Sequence, residues 1–293
     1  MASNMMSDTA ASGEQNVRNY YREVLDNNKL PSLPVVASKV LEMIQDPGIS
    51  IQKLSRLLAD DVGLSARVLT VSRSPQYAQR NLPTTLLGAV QVLGLRTLRS
   101  IVVMQATQSL CIKGNETSER LWRHSLAVAL AMRVLCERAG VRDGEQGFLT
   151  GLMHDVGQMI LVQGDPAAYA KVGREIQQAP CAIVDKEQAS YGLDHTLMGF
   201  TLLNSWNLDS QIAQAALNHH SDLQMDGGNK LSAILTVADY LCSKCGLGFF
   251  TEPASPAAEA LAMCQCADDG SMSQVIEEIQ EAYQAESELF KPA

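Results

Sequence analysis

The sequence predicts an all-α protein of two helical lobes. Three observations carry that prediction. No run of convincing length alternates apolar and polar residues, the period a half-buried strand needs, whereas apolar residues recur three and four positions apart along most of the chain. Hydrophobic residues make up 46% of the sequence and aromatics only 5%, a balance that suits Leu- and Ala-rich packed helices. Prolines fall between the periodic segments, where they restrict themselves and their predecessors.

Taken in order, residues 1–15 are small, polar and aperiodic, and are expected to be disordered. Helical spacing starts near Val17 and breaks at Leu30-Pro31-Ser32-Leu33-Pro34. Val36, Val40, Leu41 and Ile44 mark one face of a helix that Asp46-Pro47-Gly48 ends. Ile51, Leu54, Leu57 and Leu58 mark a second, with Ser50 as N-cap. Leu64, Val68, Leu69 and Val71 mark a third, and Leu86, Val90 and Leu93, after Pro83, a fourth. Leu95 to Leu110 is apolar enough for a buried helix joining the lobes. The second lobe runs from about Glu119 to Cys245, and Pro253-Ala-Ser-Pro256 breaks the chain after it. Ser273 to Phe290 reads as an acidic amphipathic helix, carrying Val275, Ile276, Ile279 and Tyr283, that packs back on the domain or meets a partner.

Charge narrows the function. The net charge is −9, unevenly placed. Residues 50–100 carry Lys53, Arg56, Arg67, Arg73, Arg80, Arg96 and Arg99 against Asp60 and Asp61, whereas residues 185–293 carry sixteen acids against four lysines. Such an acidic half argues against wrapping nucleic acid. The helix-turn-helix proportions of Ile51–Val71 are those of any tight αα corner, and the aspartates at its turn would face phosphates poorly. The basic stretch leaves room for a small anionic partner, or is a solvated helix face. No apolar run is expected to reach the roughly 20 residues that span a bilayer. The N-terminus lacks the pattern of a secretory signal, so seven cysteines are expected to be reduced thiols in the cytoplasm. Cys242-Ser-Lys-Cys245 and Cys264-Gln-Cys266 resemble zinc knuckles only loosely; i, i+3 cysteines on a helix are ordinary buried residues, and Cys111, Cys136 and Cys181 read as core fillers. Trp122 and Trp206 read as core walls.

The histidines are the main functional signal. All five lie between residues 124 and 220: His124 in Leu-Trp-Arg-His-Ser, His154 beside Asp155 in Gly-Leu-Met-His-Asp-Val-Gly, His195 in Gly-Leu-Asp-His-Thr-Leu-Met-Gly, and the pair His219-His220. Asp239 follows in Val-Ala-Asp-Tyr-Leu. Histidine is the commonest side-chain metal ligand, and carboxylates complete sites for hard cations. On a helix His154 and Asp155 project about 100° apart, so both reach one cation only at a helix end or in a groove between helices.

This order of His…His-Asp…His…His-His…Asp resembles the HD superfamily of metal-dependent phosphohydrolases. The flanking residues sharpen the resemblance to the HDOD family, the HD-related output domain of bacterial signalling proteins. They are Leu30-Pro-Ser-Leu-Pro34 through Asp46-Pro47, Leu64-Ser-Ala-Arg-Val-Leu69, Gly88-Ala-Val-Gln-Val-Leu-Gly94, then Glu187, Gly192, Gly199 and Trp206. The resemblance runs over residues 17 to 245. It implies an HDOD domain over 16–245, divided into an N-terminal helical lobe (16–112) and an HD-like lobe (118–245), with a C-terminal extension over 246–293.

By the same resemblance, His124, His154, Asp155 and Asp239 would hold a first metal. Asp155 would bridge to a second, held by His195 and by His219 or His220. The ion would be Fe, Mn or Mg, and Asp155 would be the catalytic residue if the site turns over. The chain departs from active phosphodiesterases of the HD-GYP branch, which cleave cyclic di-GMP. Gln158 stands where that branch has lysine, Arg120 stands where trinuclear members carry a glutamate ligand, and the Gly-Tyr-Pro signature is absent. Three functions follow as expectations. The first is a signalling output module acting through protein contacts. The alternatives are a metal-dependent phosphohydrolase on a nucleotide or phosphodiester, and a second-messenger binder that does not cleave its ligand.

Overall fold

The computed structural model describes residue 24 and residues 30–77, 82–178, 182–220, 230–249 and 255–290. The polar segment 1–15, the helical spacing from Val17, Arg80, Cys181 and Pro253 lie outside these described residues. Among them every regular element is helical. The chain divides into two compact units, Ser32–Leu110 with Ala282–Ala293, and Met1–Pro31 with Cys111–Glu281.

In the first of these, α1 (Val35–Ile44), α2 (Ile51–Ala59) and α3 (Val62–Ser72) pack around α4 (Leu86–Gln108). Ser50 caps α2 by accepting the amide of Lys53, and Asp61 caps α3 by accepting that of Leu64 at 2.9 Å. One of the two turn aspartates is therefore a structural cap. In conformation α4 is two helices joined at a kink: Gly94 sits at φ 75° and ψ 168°, a region only glycine enters cheaply, between the segments expected from Leu86 and Leu95.

α4 corrects the expectation that no apolar run reaches membrane-spanning length. By length and composition it could cross a bilayer, but half of its most apolar stretch is buried inside the protein. It packs against three other helices, and Leu98, Ile101, Val102 and Val103 are among its buried residues. Two cations of the basic stretch are tied to backbone: the Arg67 guanidinium donates to the Leu289 carbonyl, and Arg73 Nε to the Pro83 carbonyl at 2.8 Å. Gln108 donates to the Phe290 carbonyl at 2.6 Å, anchoring the 3-10 turn Ser287–Phe290.

The second unit is built on α5 (Glu116–Arg138), nearly all of whose central residues are buried. It packs against α6 (Gly144–Met153) and α12 (Lys230–Lys244). α6 comes into backbone contact with α5, because a Cβ at Gly151 would lie 2.6 Å from the Val128 carbonyl oxygen. α7 (Val156–Gly164), α8 (Pro166–Gln178), α9 (Ile183–Tyr191), α10 (His195–Ser205) and α11 (Ser210–Asn218) complete the shell.

α13 (Ala258–Met263) and α14 (Asp269–Glu286) close the chain, and the division between units falls inside α14. α14 packs back as the amphipathic pattern allows: Val275 and Ile279 are buried, and Arg138 of α5 holds Glu278 through two hydrogen bonds of 2.9 and 2.5 Å. Both tryptophans are buried, and Trp206 Nε1 donates to the Pro31 carbonyl at 2.7 Å.

Candidate metal centre

Helix ends bring the histidines together. α6 stops at His154 and α7 starts after Asp155, so this pair sits at the joint between two helices. His195 is the first residue of α10 and His219 the residue that closes α11. His124 and Asp239 come from the interiors of α5 and α12. Asp155 lies at the middle. Its Oδ2 is 3.5 Å from His124 Nε2 and 3.2 Å from His154 Nε2, and its Oδ1 is 3.4 Å from His195 Nε2 and 3.3 Å from His219 Nε2. Asp239 Oδ1 is 3.2 Å from His124 Nε2. His220, though exposed, joins Asp155, His195 and His219 in one group, and His124, His154 and Asp155 form another. All five histidines singled out in the sequence therefore group with Asp155, and Asp239 joins them through His124.

The other ring nitrogens explain the orientation. His154 and His219 each end a helix, where backbone carbonyls lack intrahelical partners. Their Nδ1 atoms meet the carbonyls of Gly151 and Ala216 at 2.7 and 2.8 Å. His124 Nδ1 meets the Leu247 carbonyl at 2.9 Å, and His195 Nδ1 meets Glu187 Oε2 at 2.6 Å. An acceptor at every Nδ1 puts a proton there and leaves the Nε2 lone pair for a cation, the usual arrangement behind metal-binding histidine.

The donor set fits a metal on two further grounds. His154 Nε2 and Asp155 Oδ1 are buried without a hydrogen-bond partner, and His195 Nε2 faces His219 Nε2 at 3.3 Å. Two ring nitrogens that close share a proton or a metal ion between them. Ligand atoms about 2.1 Å from one ion, at ordinary coordination angles, lie roughly 3.0–3.4 Å apart, close to the separations of 3.2–3.5 Å found here.

Electrostatics favours positive charge at His124 and His195 and opposes it at His219 and His220. Burial works against charge on His124 and His195. It is outweighed at His124 by Asp239 and Asp155, and at His195 by Glu187 and Asp155, so that both rise to about 9. Burial works against charge on Asp155 too, but His154, His219 and His195 hold it well below the usual carboxylate range. Burial lowers His219.

A metal bound here would have to displace protons from His124 and His195. Metal affinity is expected to rise from about pH 6 toward about pH 9, with protons released on binding. Calorimetry in buffers of different ionisation enthalpy counts those protons; an affinity flat across this range would contradict the assignment.

Several functional contacts are not legible in the sequence. Glu187 stands there only as part of a family pattern, yet it is fully buried, accepts both the Nδ1 and the amide of His195, and takes a 2.5 Å hydrogen bond from Tyr169. A signal exists: Ile183, Glu187 and Tyr191 follow one helix face at i, i+4, i+8, so an acid interrupts an apolar stripe. Arg120 does not enter the ligand set; it donates to the Phe249 carbonyl at 2.9 Å. Gln158 is buried with Oε1 unpaired. Among the described residues, the cysteine pairs form no metal-ligand group.

The HDOD domain model matches residues 30–222, about two thirds of the chain. The chain belongs to the HDOD family. An uncharacterised Treponema pallidum protein is 22% identical over 205 residues, covering 66% of this chain. This chain covers only 39% of that relative's length. Among solved structures, an HDOD domain protein of unknown function from Geobacter sulfurreducens has a TM-score of 0.72 at 22% identity, covering 97% of this chain and 99% of that one. A Shewanella amazonensis protein provisionally assigned as a phosphohydrolase has a TM-score of 0.71 at 22% identity over 92% and 96%. A Marinobacter aquaeolei protein provisionally assigned to signal transduction has 0.73 at 17% over 94% and 65%. At these identities the HDOD likeness is one of fold, and that fold is all-α.

Proposed function

We propose that this HDOD chain is a signal-transduction output module. It acts in the cytoplasm through contacts with signalling proteins, and its histidine site holds one or two divalent ions such as Fe, Mn or Mg. The observation that carries this reading is the set of four Nε2 atoms held around one buried carboxylate by acceptors at every Nδ1. His124, His154, Asp155 and Asp239 would hold one ion; Asp155, His195, His219 and His220 would hold the other.

Bound there, an ion supplies Lewis acidity, lowering the pKa of a bound water and polarising a phosphoryl oxygen. The chain's own residues bind and orient. Glu187 fixes the His195 ring, and neutral Gln158 brings no positive charge to a phosphate. That neutrality favours metal binding without turnover.

A second reading, metal-dependent hydrolysis of a nucleotide or phosphodiester, is supported by the edge of the site that meets solvent. Asp239 is partly exposed and His220 exposed, so a small anionic nucleotide could reach the ions. The same edge would serve a second-messenger binder that leaves its ligand intact. Protein loaded with Mn, Fe or Mg is expected to keep its metal and stay inert toward a broad panel of phosphoesters. Hydrolysis lost in Asp155→Asn would overturn the regulatory reading in favour of the enzyme.

A further inference from the structure

The end of α12 carries two thiols outside the ligand set. Cys242 is fully buried and Cys245 half-buried. The Cys245 thiol donates to the Cys242 carbonyl at 3.3 Å. The turn ends with Gly246 at φ 78° and a 2.8 Å bond from the Leu247 amide to the Cys242 carbonyl. The Leu247 carbonyl is the acceptor at His124 Nδ1, 2.9 Å away. One short segment thus links a dithiol to a histidine of the central cluster.

We propose that Cys242 and Cys245 form a reversible dithiol, closed to a disulfide by exchange with a small-molecule disulfide, and that closure moves the Leu247 carbonyl relative to His124. Residues three apart on a helix have Cα atoms about 5 Å apart, inside the range a disulfide spans. Their Cβ atoms, about 5–6 Å apart, must close to about 3.8 Å. The last turn has to reshape to allow it. Cys245 lies just beyond the helix and is followed by a glycine in the left-handed region, so the strain falls on 245–247 rather than on Asp239.

The exchange balances. The Cys245 thiolate attacks one sulfur of the small disulfide and expels a thiolate. The Cys242 thiol then attacks the Cys245 sulfur of the mixed disulfide, gives its proton to the departing sulfur, and expels the second thiol. Two cysteines are oxidised and one disulfide is reduced to two thiols. Reactivity is concentrated at one position: the hydrogen bond from Cys242 brings Cys245 down to about 7, whereas burial pushes Cys111 and Cys136 up to about 11 and Cys264 up to about 12. The half-buried sulfur attacks and the buried one resolves.

The effect on the histidine site rests on the metal reading only in its consequence; the dithiol and its pull on His124 do not. The full chain is equilibrated with mixtures of reduced and oxidised glutathione, mapped by peptide mass spectrometry, and followed by histidine side-chain 15N NMR with and without a chelator. Expected are an internal Cys242–Cys245 bridge in the native sequence, a glutathione adduct at Cys245 in Cys242→Ser, and none at Cys242 in Cys245→Ser. Modification at Cys245 in Cys242→Ser should exceed that at Cys111, Cys136 or Cys264 at least about tenfold. The His124 Nδ1 signal should shift on oxidation and return with dithiothreitol. Failure of the bridge to form, or a bridge that leaves His124 unmoved, would overturn the proposal. A chain that takes up no metal yet forms the bridge and shifts His124 would support it while overturning the metal reading.

Discussion

Asp155→Ala is expected to empty both halves of the histidine cluster at once and to destabilise the chelated protein. Asp155 is the residue shared by the two groups able to hold an ion, and no neighbouring carboxylate replaces it: Asp239 serves His124, and Glu187 is committed to the far side of His195. Without metal, its charge also balances buried rings. Removing one partner of such a network costs on the order of 3 kcal/mol, since the remaining charges stay buried and lose a counter-ion. Asp155→Asn keeps the shape and isolates the charge. Urea unfolding of chelated protein and metal content of untreated protein report the two effects separately. An alanine variant that kept both its metal and its stability would show that the carboxylate does not organise the site.

Gly157→Ala should be the most damaging single methyl addition near the site. A Cβ at Gly157 would stand 2.0 Å from the His195 carbonyl oxygen and 2.7 Å from the Gly199 amide nitrogen. Both obstacles are backbone, so α7 and α10 must part. Overpacking costs typically about 1–3 kcal/mol and more where nothing flexible can give; the upper end is expected here. The displacement would carry His195 away from Asp155, coupling lost stability to lost metal affinity. Gly199→Ala is the matched control: its Cβ would come no closer than 3.4 Å to any neighbour, and it should be nearly silent. Thermal unfolding of the pair decides it, and equal stability of the two variants would refute the close contact.

The sequence made some of this architecture readable and concealed the rest for identifiable reasons. Ser50 capping α2, the break between Leu93 and Leu95, and the apolar faces of α1 to α3 are local properties, visible in neighbours along the chain. The clustering of five histidines between residues 124 and 220 is visible too; all of them group with Asp155, and Asp239 pairs with His124. What spacing could not give is each ring's second partner. The Leu247 carbonyl lies 123 residues from His124 and acts through its backbone, which no side-chain pattern encodes. Tyr169 reaches Glu187 only because α8 packs on α9. Gly157 reads as part of a motif, whereas its role is the space it leaves for α10. Apolar α4 shows the opposite failure: its composition alone suits a bilayer, yet half of its most apolar stretch is buried inside the protein.

We propose that five imidazoles and two carboxylates form a metal centre. Elemental analysis of protein purified without chelator or affinity metal, before and after incubation with Mn, Fe or Mg, tests it most directly. One or two equivalents of divalent metal per chain, absent from Asp155→Ala, is the predicted result. A native chain that holds no metal even after incubation would contradict the account and leave the histidines as a buried structural network.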